Sequence, residues 1–362
     1  MTEFNLRLKA SVDANKFRYG YPWIYSNEII SDRRTKSLLP GSFCKLVDYN
    51  KNPICLVTVN PKSKIFARVM DYNLETTVDA YWLKDKISKA LAKRKEIFRD
   101  PFYRLVNAEA DELPGLIVDR FDNVIVMQPN AFWADNMSEI IANSIKEVCS
   151  IDVVIKNASG RSRRLEGLDD KNSVFFGDLP EAAISVPMNG AIYKADVHEG
   201  QKTGLFYDQR QNHKFVASLA NGKTVLDVFC HVGGFGLAAI AAGASKVSFV
   251  DSSANALDLV REGASEMLAS SKMNIIRGDA FSVLTKLFES NNSYDIVICD
   301  PPAFVTSRKS LNSGLRAYEK MAKLGSSLVR ENGILVLCSC SQLADLTTVS
   351  YTHLTLPTTV FV

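Results

Sequence analysis

The sequence predicts an α/β protein whose C-terminal half is a parallel sheet with helices on both faces, preceded by a β-rich region and a mixed α+β region. Two patterns carry that prediction. Beyond residue 200, the short apolar runs "TVLDVF", "KVSFVD", "MNIIRGD", "YDIVICD" and "GILVLCSC" alternate with helical stretches, as strands joined by crossover helices do. Before about residue 70, "NLRLKA", "SFCKLVDY", "PICLVTVN" and "KIFARVMD" are short β patterns divided by the turn clusters "LPGS" and "YNKNP". A chain of 362 residues also exceeds the size at which one core keeps growing, so two or three domains are expected.

Between these regions, residues 84–99, "KDKISKALAKRKEIFR", place Ile87, Ala90, Leu91 and Arg94 at helical spacing and carry seven basic residues against two acidic. An amphipathic helix with a basic face is expected there. From 104 to about 190, "RLVNAEADELPGLIVDRFDNVIVMQ", "DVVIKN" and "SVFFGD" read as strands around one helix near 133–149. No internal repeat or low-complexity linker interrupts the chain.

Composition excludes several classes of function. Hydrophobic content of 46% and charged content of 23% describe an ordinary globular protein. The net charge of +3 is too small to demand a polyanionic partner, so any basic footprint must be local. Seven cysteines without paired spacing fit reduced thiols in the cytoplasm better than a disulfide framework. The four histidines (His198, His213, His231, His353) are scattered and no CxxC or HxxxH pair occurs, so no metal site is expected. The start, "MTEFNLRLKA", lacks the apolar stretch of a signal peptide. The most apolar window, "VLDVFCHVGGFGLAAIAAGA", is broken by Asp227, His231 and glycines, so no membrane span is expected.

Ligands of open α/β sheets bind beyond the carboxyl ends of the strands. After "TVLDVF" comes "CHVGGFG", where Gly233, Gly234 and Gly236 permit close backbone approach and a tight turn into a helix. The spacing is not that of dinucleotide binders, so the glycines alone are weak. Aspartates add the stronger signal. Asp227 lies in the first strand; Asp251 closes the second, where a carboxylate can accept both hydroxyls of a ribose. Asp279 closes the third in "RGDAF", in reach of an adenine amino group, and Asp300 closes the fourth in "ICDPPAF". A nucleoside-containing cofactor is the favoured reading.

This order resembles the class I S-adenosylmethionine-dependent methyltransferases, with their Rossmann-like fold. The segments "GYPWIYSNEI", "AEADELPGLIVDRF", "HEGQKTGLFYDQR", "DVFCHVGGFGLAA", "DPPAF" and "CSCS" are together similar to the bacterial large-subunit (23S) ribosomal RNA cytosine-C5 methyltransferases with an N-terminal PUA domain. The likeness runs from about residue 4 to 343. It implies a PUA RNA-binding domain at 1–75, a middle α+β domain at 76–190 and a methyltransferase domain at 191–346. It also implies S-adenosylmethionine as cofactor and ribosomal RNA as partner. "TGLFYDQR" would pack against the cofactor through Phe206, Gln209 and Arg210. The full candidate set adds Asp227, Phe229, Gly233, Gly234, Asp251, Ser252, Asp279 and Ala280. His231 stands where the family has another residue and receives no role.

Methylating C5 of cytosine requires a thiolate that adds to C6 and makes C5 nucleophilic, and an acidic group at N3. Asp300 suits the second task, followed by Pro301 and Pro302, which fix φ and remove donors. The better-known RNA cytosine methyltransferases carry a second cysteine in this loop; here that position holds Pro302 or Ala303, so no residue is assigned as the base that removes the C5 proton. Cys299 should face away from Asp300 by strand alternation and belong to the core. Cys338 reads as strand interior. Cys340, at the carboxyl tip, is the candidate nucleophile, near the positive end of a helix if Ser341 caps one.

Lys16, Arg18, Tyr21 and Trp23 mix basic and aromatic side chains as RNA surfaces do, and Arg161, Arg163 and Arg164 form a second basic cluster. Two other readings stay open: an RNA methyltransferase acting on guanine or another substrate without covalent catalysis, and a non-enzymatic RNA-binding protein. A homodimer is also left open. Finally, residues 347–362, "TTVSYTHLTLPTTVFV", contain six threonines and no helical pattern. This stretch looks like a translated sequencing adapter, so the native ending is expected to be missing and the domain unstable at its exposed sheet edge.

Overall fold

The computed structural model describes residues 4–198, 203–341 and 343. The chain divides into two compact units, residues 1–181 with 197–204, and residues 182–196 with 205–362. The tail at 347–362 and the segment after Ser341 that was expected to form a helix lie, apart from Leu343, outside the described residues.

Two sheets build the N-terminal unit. The first is five-stranded, with Asn5–Arg7, Phe43–Val47, Pro53–Val59, Ile65–Asp71 and Trp23–Tyr25 side by side in that order. Its alternating residues Leu6, Leu46, Cys55, Val57 and Ala67 close around Phe17 and Ile24. Burial pushes the thiols of Cys44 and Cys55 up to about 12, so both behave as apolar core. The second sheet runs Ser173–Phe176, Val153–Lys156, Val124–Pro129, Leu116–Phe121 and Phe102–Asn107. It packs with the expected helix, Ala80–Ile97, which buries Trp82, Leu83, Ile87, Ala90 and Leu91. The helix expected near 133–149 is two, Phe132–Asn136 and Ser138–Cys149, meeting at Met137.

Charge inside this unit is internally matched. Arg163 is wholly buried, with Nη1 2.8 Å from Asp135 and Nη2 3.2 Å from Asp169. That corrects its assignment to a basic surface cluster: Asp135, Asp169 and the Pro129 carbonyl accept its guanidinium N–H groups in the interior. Arg68 joins Glu109 (3.1 Å) and Glu166 (2.8 Å). Arg104 and Thr203 both donate to the buried carboxylate of Asp119.

In the second unit the five expected strands all form: β1 (Thr224–Val228), β2 (Lys246–Asp251), β3 (Met273–Arg277), β4 (Tyr294–Cys299) and β5 (Val329–Leu337). All pair in parallel, in the spatial order β3-β2-β1-β4-β5. Crossovers carry the helices α1 (Gly234–Ala241), α2 (Ala254–Glu266), α3 (Ala280–Glu289) and α4 (Leu311–Ser327). The order reverses between β1 and β4, the switch point at which such sheets open a crevice. The border expected at residue 190 instead cuts a hairpin, Ile184–Met188 with Ala191–Ala195. This hairpin belongs to the second unit: Lys194 pairs with Glu266 at 2.6 Å. Gly263 allows the close approach, since a Cβ there would meet the Ile192 carbonyl at 2.6 Å.

Candidate active site

The loop after β1 takes three left-handed residues in five, Phe229 (φ 62°), His231 (φ 50°) and Gly233 (φ 83°). For the two with side chains that conformation is costly and persists only when the surroundings hold it. Those holds are visible. The Asp251 carboxylate at the end of β2 accepts from the His231 N–H and the Ser253 N–H, each at 2.9 Å. Asp227 accepts from the Gly236 N–H at 2.8 Å. Gly236 must lack a side chain because a Cβ there would lie 2.1 Å from the Phe249 ring.

The Asp227 carboxyl, inside β1 as expected, is fully buried, and its Oδ1 has no hydrogen-bond partner among the described residues. Burial raises its carboxyl to about 7, against the Gly236 hydrogen bond, and Asp300 and Asp251 push it the same way. Three carboxylates therefore share one neighbourhood. Asp251 is half-buried and Ser252 exposed, which suits an acceptor for ribose hydroxyls. Asp279 is exposed and caps α3, accepting from Ser282 N (3.0 Å) and Oγ (2.9 Å), which holds its carboxyl low. Ala280 is buried behind it.

Phe206 meets the His231 ring edge-on at 5.0 Å. Gln209 accepts from Asn212 at 2.8 Å, and Arg210 opens the helix Arg210–Ser218. Gly233 and Gly234 stand at the amino end of α1, where the N-cap residue is itself Gly233 and offers no side chain. His231 was passed over, although a non-glycine residue inside a glycine loop was a signal of strain. Tyr193 and His213, which hold Gly234 from outside the loop, left no local signal.

At the β4 tip, Cys299 is fully buried, its thiol pushed up to about 12 by burial, as strand alternation predicted. Cys338 follows β5, and burial raises its thiol too. Its N–H donates to the Cys299 carbonyl at 2.9 Å. Cys340 is exposed, with Sγ 3.9 Å from the Pro301 carbonyl. Asp300 and Cys340 thus leave neighbouring strand tips on adjoining loops. The Ser341 hydroxyl accepts from Val305 N at 3.1 Å and bonds Tyr318 Oη at 2.9 Å. It ties the "DPPAF" loop to the segment after β5.

In the short helix Asn15–Arg18, Lys16 pairs with Glu28 and lies over the Phe17 and Tyr21 rings at 4.7 and 4.9 Å. Arg18 reaches Asp48 at 3.4 Å. Trp23 is half-buried and its indole N–H donates to Glu109 at 2.8 Å. Among the described residues no His/Cys/Asp/Glu cluster could hold a metal ion, and no helix is long and apolar enough to cross a membrane.

A parallel five-stranded sheet with a glycine loop after β1 and acidic strand ends is the architecture of an α/β domain for a nucleoside cofactor, and the comparisons place it in the S-adenosylmethionine-dependent methyltransferase class. The family model described as S-adenosylmethionine-dependent methyltransferase matches residues 165–345, and a PUA-like domain matches residues 6–72. The "Ribosomal RNA large subunit methyltransferase I" of Shewanella denitrificans is 31% identical over 90% of this chain and 83% of its own length. The "Ribosomal RNA large subunit methyltransferase" of Deinococcus radiodurans is 33% identical over 93% and 85%. Among solved structures, SMU.776, assigned as a methyltransferase and crystallised with SAH, superposes with a TM-score of 0.82 at 19% identity, covering 98% of this chain and 90% of that one. The chain belongs to the PUA-containing S-adenosylmethionine-dependent methyltransferase family whose members include ribosomal RNA large subunit methyltransferase I.

Proposed function

We propose that this protein is a cytoplasmic methyltransferase that places a methyl group on C5 of a cytosine in 23S ribosomal RNA, through a covalent adduct of Cys340. The names of its relatives support ribosomal RNA as substrate. One observation carries the cytosine chemistry: the Cys340 thiol, exposed beyond β5, lies 3.9 Å from the carbonyl of the residue after Asp300. A thiol and a carboxyl group on adjoining loops suit the C6 and N3 edges of one pyrimidine.

The residues present fit the cofactor. The uncapped amino end of α1 offers backbone donors, the Asp251 carboxylate has acceptor capacity beyond its two amides, and Asp227 stiffens the loop between them. Phe206, Gln209, Arg210, Phe229, Gly233, Gly234, Ser252, Asp279 and Ala280 complete the proposed contacts. S-adenosylmethionine supplies the electrophilic methyl group. The Cys340 thiolate adds to C6 while the Asp300 carboxyl gives a proton to N3, so the displaced electron pair enriches C5. C5 then takes the methyl group. Loss of the C5 proton to a base re-forms the C5=C6 bond, Cys340 leaves as thiolate, and the N3 proton returns to Asp300. On the PUA-like domain, Lys16 and Arg18 are the proposed RNA contacts, with Trp23 offering only its ring.

Trapping tests the reading. RNA carrying 5-fluorocytidine cannot lose its C5 substituent as a proton, so a cysteine adduct should survive denaturing electrophoresis. Mass-spectrometric mapping should place the methyl group on cytosine, and Cys340→Ala should abolish both signals. Full activity in Cys340→Ala, or a methyl group on guanine, would sink the assignment.

A further inference from the structure

Two side chains outside the glycine loop converge on its last peptide. Tyr193, wholly buried in strand Ala191–Ala195, donates its hydroxyl to the Gly234 carbonyl at 3.0 Å. His213, buried in the helix Arg210–Ser218, occupies the space that a Gly234 side chain would need. A Cβ there would lie 2.5 Å from His213 Cε1. The Tyr193 and His213 rings stack at 6.4 Å, and His213 meets Phe235 edge-on at 4.5 Å. Burial also lowers the imidazole to about 4, so the ring is a neutral wedge.

What these two fix is the plane of the Gly234–Phe235 peptide. In a trans peptide the N–H points opposite to the C=O. Holding the carbonyl from the Tyr193 side therefore sets the direction of the Phe235 amide. Helix starts leave their first amides without intrahelical partners. In α1 the Gly236 N–H goes to Asp227 and the Leu237 N–H to the Gly233 carbonyl. The amides of Gly234 and Phe235 are then the donors this end can present to a ligand.

We propose that Tyr193 and His213 are positioning residues for S-adenosylmethionine: the hydroxyl and the imidazole together set the Gly234–Phe235 peptide, and with it the donors the loop offers the cofactor. The inference rests on S-adenosylmethionine use alone and stands apart from the cytosine assignment.

Calorimetry of S-adenosylhomocysteine binding to the full chain, without RNA, tests it. Tyr193→Phe keeps the ring and removes one hydrogen bond, so affinity should fall about 3- to 10-fold. In steady state the KM for S-adenosylmethionine should rise by a similar factor while the KM for RNA stays put, a split that a general packing defect would not produce. Gly234→Ala must displace His213 and should weaken binding about 10-fold or more. Adding His213→Ala makes room for the methyl group and should recover most of that loss. Unchanged affinity in Tyr193→Phe, or a double variant no better than Gly234→Ala alone, overturns the proposal. Intact cofactor binding without cytosine methylation would strike only the reaction assigned above.

Discussion

Arg163 in the N-terminal unit and Asp227 in the methyltransferase unit are both fully buried, yet only Arg163 sits among opposite charges. Asp135 and Asp169 meet its guanidinium, and the Asp169 carbonyl accepts from its Nε at 2.9 Å. Asp227 has one backbone amide on Oδ2, none on Oδ1, and no ion pair among the described residues. A buried charge matched by its own neighbours fixes a shape and nothing more. A buried carboxyl without a counter-ion is costly, and it occurs here under a strained loop at the crevice. That contrast separates scaffold from site more sharply than sequence motifs do.

The comparison can be broken from either side. Removing the scaffold charge should have the largest effect: Arg163→Ala leaves two carboxylates facing a hole and should cost about 3–5 kcal/mol of unfolding free energy. Urea denaturation measures it, and a loss below about 1 kcal/mol would mean that the pairing contributes little. Asp227 should behave differently, because its effect depends on pH. Its carboxyl is raised to about 7 when folded, so between pH 4 and 7 the folded state binds the extra proton. Its contribution is therefore fully present below about pH 4 and is lost as pH rises through 7, on the order of 4 kcal/mol. Asp227→Asn should flatten that part of the stability–pH curve relative to the wild type. Parallel curves would show that the carboxyl is not raised.

The smallest effect is expected at an exposed pair. Lys323 and Glu319 lie 2.6 Å apart at i,i+4 on α4 with side chains 64% and 40% exposed. Lys323→Ala should change stability by less than about 0.5 kcal/mol. A larger loss would show that surface charge supports the sheet's helical layer as much as buried contacts do.

Strand positions were legible because β-branched apolar runs such as "KVSFVD" and "YDIVICD" leave few alternatives to a buried parallel strand. Cys299 as core followed from period-two alternation alone. Less was legible where several elements share a task. Arg163 looked like one of three exposed arginines until Asp135, 28 residues away, was found beside it. The tie of Ser341 to Val305 and Tyr318, 36 and 23 residues away, had no local signal either. The hairpin at "PMNGAIY" was not legible as part of the second unit, because the helix it packs with lies far along the chain.

By itself the sequence determined the strand positions of a parallel α/β domain, the glycine loop, the acidic strand ends and the thiol at the last strand tip. These depend on local periodicity and on residue types that only certain backbone positions tolerate. Tertiary structure alone decided that Asp227 is fully buried under the glycine loop, that Arg163 is interior, and that Tyr193 and His213 grip Gly234. Such roles come from who is buried beside whom, and burial is set by packing between segments distant in the chain.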